Sequence, residues 1–461
     1  MKTIVKIFTG VSLIGLIFSC NKEDKLNYTL KNYDTFVPGA IDEWITKNLT
    51  DPYNIEVVYR YQRNMHDVNK NISPADESKV IPQMDIVKKG FLDVYNKIGG
   101  ATFIKTYTPK QFALFGSGDY DPDGSVKGGT ADGGRRITLY GLNGLNENNP
   151  NSVIGNLQVI HHEFTHILNQ TRFIPVDFEK VCVGDYYSNW TAQENDEPTA
   201  RALGFISPYS RKSVGEDFAE TLSHLIVKGQ LFYDSYAYES GKTAYPKFGK
   251  KETIVRDYMI KHFNIDVTQL QMEFQRVMEE QYKSTAYKFP TLIARNQVGW
   301  LDWDIRNSWS ISKPVSAKQK EVLNPILDGL GGYTTKSLQF RLMSSNKATI
   351  YITFGDNSNT WAAAYDFSIT KSANDTFVFE LSEEQGEENP FDENAYEYAK
   401  ISWIASDVQP LINYLGNTSF NLDWYTPLKD VIPQEYLKFI NFKDSKDSKA
   451  IMLGQITPRK Y

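Results

Sequence analysis

The chain predicts an α+β domain followed by a mainly β, sandwich-like domain. The first half mixes short strand-like runs with long, apolar-periodic helical stretches. Between Pro290 and Pro314 the texture changes, and Trp300, Trp303 and Trp309 fall in a segment without clear period. Beyond it come short runs rich in β-branched and aromatic residues, separated by Asn, Ser and Gly turns. At 461 residues the chain has room for two or three domains and a sizeable core. Its 41% hydrophobic and 23% charged content is that of an ordinary globular protein, and a net charge of −6 offers no basic footprint for nucleic acid.

Lys2 and Lys6 precede an apolar run from Ile7 to Phe18, and Ser19-Cys20 follows. So short a run marks residues 1–19 as a signal peptide rather than a membrane span. A small residue directly before cysteine resembles a bacterial lipoprotein cleavage site, which implies a lipid on Cys20. Residues 20–30 then form a tether, and Asn21-Lys22-Glu23-Asp24 resembles the export tag of surface lipoproteins in the Bacteroidetes. The implied location is the bacterial outer membrane, facing the cell exterior and held by the lipid alone. Acylated Cys20 leaves Cys182 unpaired. Between Val181 and Val183, Cys182 reads as a small buried apolar residue.

Residues 31–309 form the first domain. Strands are expected over Ile55–Tyr61, Thr102–Tyr107, Gln111–Phe115 and Arg136–Tyr140, with a helix over Val80–Ile98 ended by Gly99-Gly100. A Gly/Asp-rich loop spans 116–134, and helices are expected over Glu252–Phe263 and Val267–Lys283. Residues 310–461 form the β-rich domain, with strands over Ser337–Leu342, Ala348–Phe354, Ala363–Ile369, Thr376–Leu381 and Tyr398–Ile404.

The stretch His162-Glu163-Phe164-Thr165-His166 is the centre of the functional reading. On a helix, residues at i and i+4 share a face, so both imidazoles can reach one metal ion. Two neutral nitrogens suit Zn²⁺, one per chain, and Glu163 beside the first ligand can take a proton from water at the metal. With 6 histidines in the chain, composition alone yields on the order of 0.005 chance matches to H-E-x-x-H.

A third ligand is sought downstream, where a helix opens at Gly215 and runs on from Glu216. Glu216 and Glu220 share a face, and their mutual repulsion is relieved by a nearby cation. Glu216 is the first candidate, with Asp217 and Glu220 as competitors; Glu220 also suits the outer N–H of a ligating histidine. His161, His66, His224 and His262 read as histidines without a metal role. A second metal site is a weaker expectation: Asp119-Tyr120-Asp121-Pro122-Asp123-Gly124 matches the start of a Ca²⁺ loop. Thr130 stands where the closing glutamate belongs, and Lys127 lies inside the cage, which favours a polar turn.

His162-Glu163-Phe164-Thr165-His166, followed by Tyr209, Glu216 and Glu220, resembles the gluzincin metallopeptidases, in particular the catalytic domains of anthrax lethal factor and its relatives. The resemblance implies a zincin-like fold, zinc ligands His162, His166 and Glu216, the base Glu163, Tyr209 facing the reacting carbonyl, and Glu220 behind a ligand. It also implies, by analogy, that the strand Arg136–Tyr140 is a sheet edge to which extended substrate adds. Over much of its length the chain resembles the substrate-import-associated zinc metallohydrolase lipoproteins of Bacteroidetes, through its lipoprotein start, Asn54-Ile55-Glu56-Val57-Val58-Tyr59-Arg60-Tyr61, the histidine motif and Pro208 to Glu220. A TonB-dependent importer with its surface lipoprotein is the partner this implies, and a peptide or protein the substrate. Two other functions stay open: a zinc-containing binding component of an import complex that captures peptide or glycan without turnover, and a zinc hydrolase of a non-peptide amide.

Overall fold

The computed structural model describes residues 37–372, 374–386 and 394–460. Cys20, the signal peptide and the tether lie outside the described residues. The chain divides into two units, 1–42 and 43–461. In the first, the Asp42 carboxylate accepts the Gly39 N–H at 2.9 Å. The second holds every element below. No helix among the described residues is long and apolar enough to cross a membrane.

The mixed α/β part opens with strand β1 (Glu56–Val58). Helix α1 (Glu77–Val87) passes through a π turn, Lys88–Leu92, into helix α2 (Asp93–Tyr107). Strands β2 (Gln111–Leu114), β3 (Asp119–Tyr120), β4 (Val126–Lys127), β5 (Gly129–Asp132) and β6 (Arg136–Leu139) follow. The sheet order is β1-β2-β6-β5, with β5 antiparallel to its parallel companions, while β3 and β4 form a separate hairpin. The expected strand Thr102–Tyr107 is instead the last part of α2. Its β-branched and aromatic residues are held helical by packing: Phe103 and Ile104 are buried, with Phe103 stacked on Tyr95 at 5.8 Å. Gly100, at φ 80°, is the point where the expected helix end survives as a kink.

Helix α3 (Pro150–Thr171) is capped by the Asn149 side chain, which accepts the Asn151 N–H, and Pro150 presets its first turn. Val153, Leu157, Ile160, Phe164, Ile167 and Leu168 recur at three- and four-residue spacing and are buried. The π turn of Lys88–Leu92 presses against this face. A Cβ on Gly90 would collide with Leu157, so glycine is what permits the approach. Helix α4 (Val214–Val227) packs against α3, and helices α5 (Tyr245–Phe263) and α6 (Val267–Tyr282) complete the layer.

The second half is an eight-stranded antiparallel closed barrel rather than a sandwich. Its strands are β7 (Trp300–Asp302), β8 (Thr334–Leu342), β9 (Lys347–Gly355), β10 (Thr360–Lys371), β11 (Phe377–Leu381), β12 (Phe420–Trp424), β13 (Phe439–Asp444) and β14 (Ile451–Thr457). Each pairs with its sequence neighbour, and β14 pairs with β7 to close the ring. Alternation gives the core face in either architecture: Leu338, Phe340 and Leu342 on β8, and Ala348, Ile350, Ile352 and Phe354 on β9. Only the edge pairing separates barrel from sandwich. β7 precedes residue 310, so the barrel takes residues from both sides of the expected boundary. The run Tyr398–Ile404, expected as a strand, joins the end of a short helix, Ala395–Ala399, to the helix Ser402–Asn417.

Candidate metal centre and its cleft

His162 and His166 project from α3 one turn apart and face the first turn of α4. The structure brings Nε2 of His162, Nε2 of His166 and Oε2 of Glu216 together, each 3.1 Å from the other two. Helix α4 opens at Val214 rather than Gly215, with the Ser213 hydroxyl accepting the Glu216 N–H at 3.3 Å. That cap fixes the first turn and so the direction of Glu216.

A fourth partner orients the first imidazole. Nδ1 of His162 donates to Oε1 of Glu220 at 2.9 Å, which turns Nε2 toward His166 and Glu216 and leaves it free to ligate a metal. Three atoms able to ligate a metal thus converge on one point. A tetrahedral zinc with bonds of 2.0–2.1 Å wants ligand atoms about 3.3 Å apart, close to the observed triangle. The donor set therefore fits a zinc ion, and among the described residues this is the group of three metal-ligating side chains that closes on one point. Glu220 is fixed in turn by the Ser207 hydroxyl, which donates to its Oε2 at 2.7 Å. Burial opposes ionisation of Glu220, but the His162 hydrogen bond outweighs it and the carboxyl is lowered to about 2. Burial likewise opposes the Glu216 charge, and its two histidine contacts hold it well below the usual carboxylate range.

Glu163 points into the same cleft. Its burial raises the carboxyl above the ordinary range, while the Ala131 N–H of β5 and the histidines pull the other way. β5 lies directly on α3 here: a Cβ on Gly129 would sit 2.7 Å from Val159 and 3.3 Å from Cγ of Glu163. Arg136–Leu139 is therefore not the sheet edge. It is flanked by β2 and β5; the edges of the sheet are β1 and β5, and β5 is the edge that borders the cleft. The glycines and short length that let β5 lie against α3 made it read as loop.

Tyr209 stands in a 3₁₀ turn, Tyr209–Lys212, ahead of α4. Its hydroxyl donates to Oε1 of Glu216 at 2.8 Å, and its ring packs edge-on against Trp190 at 4.8 Å. Burial and the Glu216 charge push the phenol far up, so it stays protonated and able to donate. Sequence reasoning missed Lys212, whose Nζ is 3.0 Å from Oε1 of Glu216 and 3.2 Å from the Tyr209 hydroxyl. The four-residue spacing of Lys212 and Glu216 was the available signal. The cleft, of about 540 Å³, also takes in Gln158, Val159, Trp190 and the β3–β4 hairpin.

The remaining candidates fall elsewhere or into supporting roles. Asp217 turns inward to a 2.7 Å ion pair with Lys251. His161 is fully buried, bonded to the Gly90 carbonyl at 3.2 Å and pushed down to about 4 by burial, so it is neutral. His224 donates through Nδ1 to the Glu220 carbonyl at 2.8 Å and accepts from Gln158 at 3.1 Å. His66 bonds Tyr61, and His262 packs on Tyr258. Cys182 is buried. At the aspartate-rich turn, the ammonium of Lys70 lies 3.1 Å from Asp119 and 2.6 Å from Asp121, and that of Lys127 lies 3.1 Å from Asp121.

A helix with paired histidines and an intervening glutamate, completed by a carboxylate from a second helix, is the site of a metal-dependent hydrolase class. Residues 35–268 match the model of the family described as "Putative zinc-binding metallo-peptidase", and the chain belongs to that family. It is also similar to a solved structure, a "putative zinc-binding metallo-peptidase" from Bacteroides caccae, with 27% identity over 54% of this chain and 98% of that one and a TM-score of 0.46. No curated protein matches.

Proposed function

We propose that the protein is a zinc metallopeptidase of gluzincin type that hydrolyses peptide bonds. The observation that carries this is the 3.1 Å triangle of His162, His166 and Glu216, with Glu163 beside it in an open cleft. Zinc held there supplies Lewis acidity to the carbonyl under attack. Glu163 takes the proton of the attacking water and hands it to the leaving amine. Tyr209 swings its hydroxyl from Glu216 to the developing oxyanion, and Lys212 keeps Glu216 paired meanwhile. The outer side of β5 receives the substrate as an added strand, so backbone hydrogen bonds hold the peptide beside Glu163.

The sequence supports two finer parts of the reading. The leader ending in Ser19-Cys20 supports a lipid anchor at the outer membrane, and the resemblance to import-associated lipoproteins supports a TonB-dependent importer as partner. Cys20→Ala should move the protein from the membrane to the soluble fraction, and continued sedimentation would reject the anchor.

The function is tested by incubating zinc-loaded protein with a diverse peptide library, with and without chelator, and reading products by mass spectrometry. Cleavage that chelator and Glu163→Gln each abolish, with zinc retained in the variant, supports the peptidase. Intact peptides that bind saturably support a capture protein instead.

A further inference from the structure

The two walls of the cleft are joined. One wall is β5 with the β3–β4 hairpin before it; the other is the loop that carries Trp190 into Thr191. The carboxylate of Asp123, at the hairpin turn, spans the gap. Its Oδ1 accepts the Ser125 N–H and hydroxyl at 3.0 and 2.7 Å, which shapes the turn. Its Oδ2 accepts the Thr191 hydroxyl at 3.0 Å, which ties the turn to the opposite wall. The hairpin does not merely lean across. Lys70 holds its base through Asp119, Asp121 and the Tyr120 carbonyl. Trp190, next to Thr191, is braced by Tyr209 and by Asn195, which donates to the Trp190 carbonyl at 2.7 Å.

The strap stands at one defined end of the substrate groove. β5 and α3 run in the same direction, since Gly129 approaches Val159 whereas Gly134 approaches Gln170. The hairpin therefore closes the end of the groove toward the start of α3, where Gly155 and Gln158 line the cleft. The reacting position lies between Gly129, against Glu163, and Ala131, whose N–H reaches the Glu163 carboxylate. From there to Lys127 is two to four residues of β structure, about 7–13 Å. An extended peptide added to β5 has that much room before it meets the strap. Val126, exposed and facing the cleft, meets it there with an apolar side chain.

We propose that this strap makes the enzyme a trimmer of chain ends: its substrates are short peptides and free polypeptide termini, with cleavage a few residues from one end. This deepens the peptidase reading and rests on it.

The test compares a linear peptide of mixed sequence with the same sequence cyclised head to tail, using zinc-loaded full-length protein. Mass spectrometry should show the linear form losing a few residues from one end, and kcat/KM for the cyclic form should be lower by about 100-fold. Thr191→Val and Asp123→Ala remove the tie, and replacing Asp121–Ser125 by an Asn-Gly turn removes the strap itself. The shortened hairpin should raise cleavage of the cyclic peptide about 10-fold or more against the linear one, the point variants less, and Asp123→Asn, whose amide can still pair with Thr191, should match the parent. Interior cuts in the cyclic peptide by the parent protein, or a cyclic-to-linear ratio unmoved by hairpin shortening, overturns the strap. Failure to cut either peptide overturns the peptidase reading and this inference with it.

Discussion

Glu220 receives Nδ1–H of His162 at 2.9 Å, and that bond turns Nε2 of His162 toward His166 and Glu216. Glu216, four residues earlier on the same helix face, reaches the point where Nε2 of His162 and of His166 meet. The two carboxylates therefore fail differently. Glu216→Ala should abolish zinc binding, whereas Glu220→Ala should weaken it by roughly 10–100-fold. Elemental analysis after dialysis against graded chelator reads both, and the reverse order would exchange their roles.

Tyr209 is bonded to Glu216, yet its phenol is a protonated donor beside the cleft that can turn to an oxyanion. Tyr209→Phe should lower kcat by about 10²–10³-fold. Zinc content and Tm should hold, because the ring still packs on Trp190. An unchanged kcat/KM would confine the hydroxyl to bracing Glu216.

The Lys251–Asp217 pair is sealed in the core, with side chains 1% and 0% exposed and the Tyr186 hydroxyl also donating to Asp217. Lys251→Met strands a buried carboxylate and should cost about 3–5 kcal/mol by denaturant titration. Adding Asp217→Leu should recover much of that loss. A single variant as stable as the parent would show that Asp217 escapes to water.

Burial, aided by the Glu252 charge, pushes Asp234 up to about 7. The unfolded carboxyl titrates near its ordinary value of about 3.9, so the fold binds the proton more tightly. The stability this supplies is present below about pH 4 and is lost as pH rises through about 7. Asp234→Asn keeps the acceptor for the Gln230 amide, 2.8 Å away, and removes the titration. Its Tm should match the parent below about pH 4 and exceed it at pH 8, with the gap opening between those values. Identical pH profiles for the two proteins would exclude Asp234 as the source.

The ligands were partly legible because helical spacing puts His162 with His166, and Glu216 with Glu220, each pair on one helix face; that the two faces meet is shown only by the fold. What escaped depends on contacts between distant segments. β5 is four residues with a glycine at its start, and only the approach of Val159 shows why glycine stands there. Thr102–Tyr107 has strand-like composition, but Tyr95 and Phe263 supply ring partners that suit a helix. In the barrel, four of the expected strands form, and Tyr398–Ile404 does not. β12 and β13 lie outside the expected runs although Asn421 and Asp423, and Asn441 and Lys443, alternate with buried Phe420, Leu422, Ile440 and Phe442, the pattern of a half-buried strand; an expectation built on continuous apolar runs passes over it.

The pairing of β14 with β7 sets an order of events during synthesis. Every other neighbouring pair in the barrel joins consecutive strands and can form as the chain emerges. The seam cannot, because β7 must wait for some 150 residues until Ile451–Thr457 exist. Until then β7 and β13 each present an unpaired edge, open to a second chain. A chain cut before Ile451 would keep that opening permanently. The metal-binding half would then be tethered to a sheet that adheres to its own kind, so aggregation rather than lost chemistry would be the first symptom of truncation.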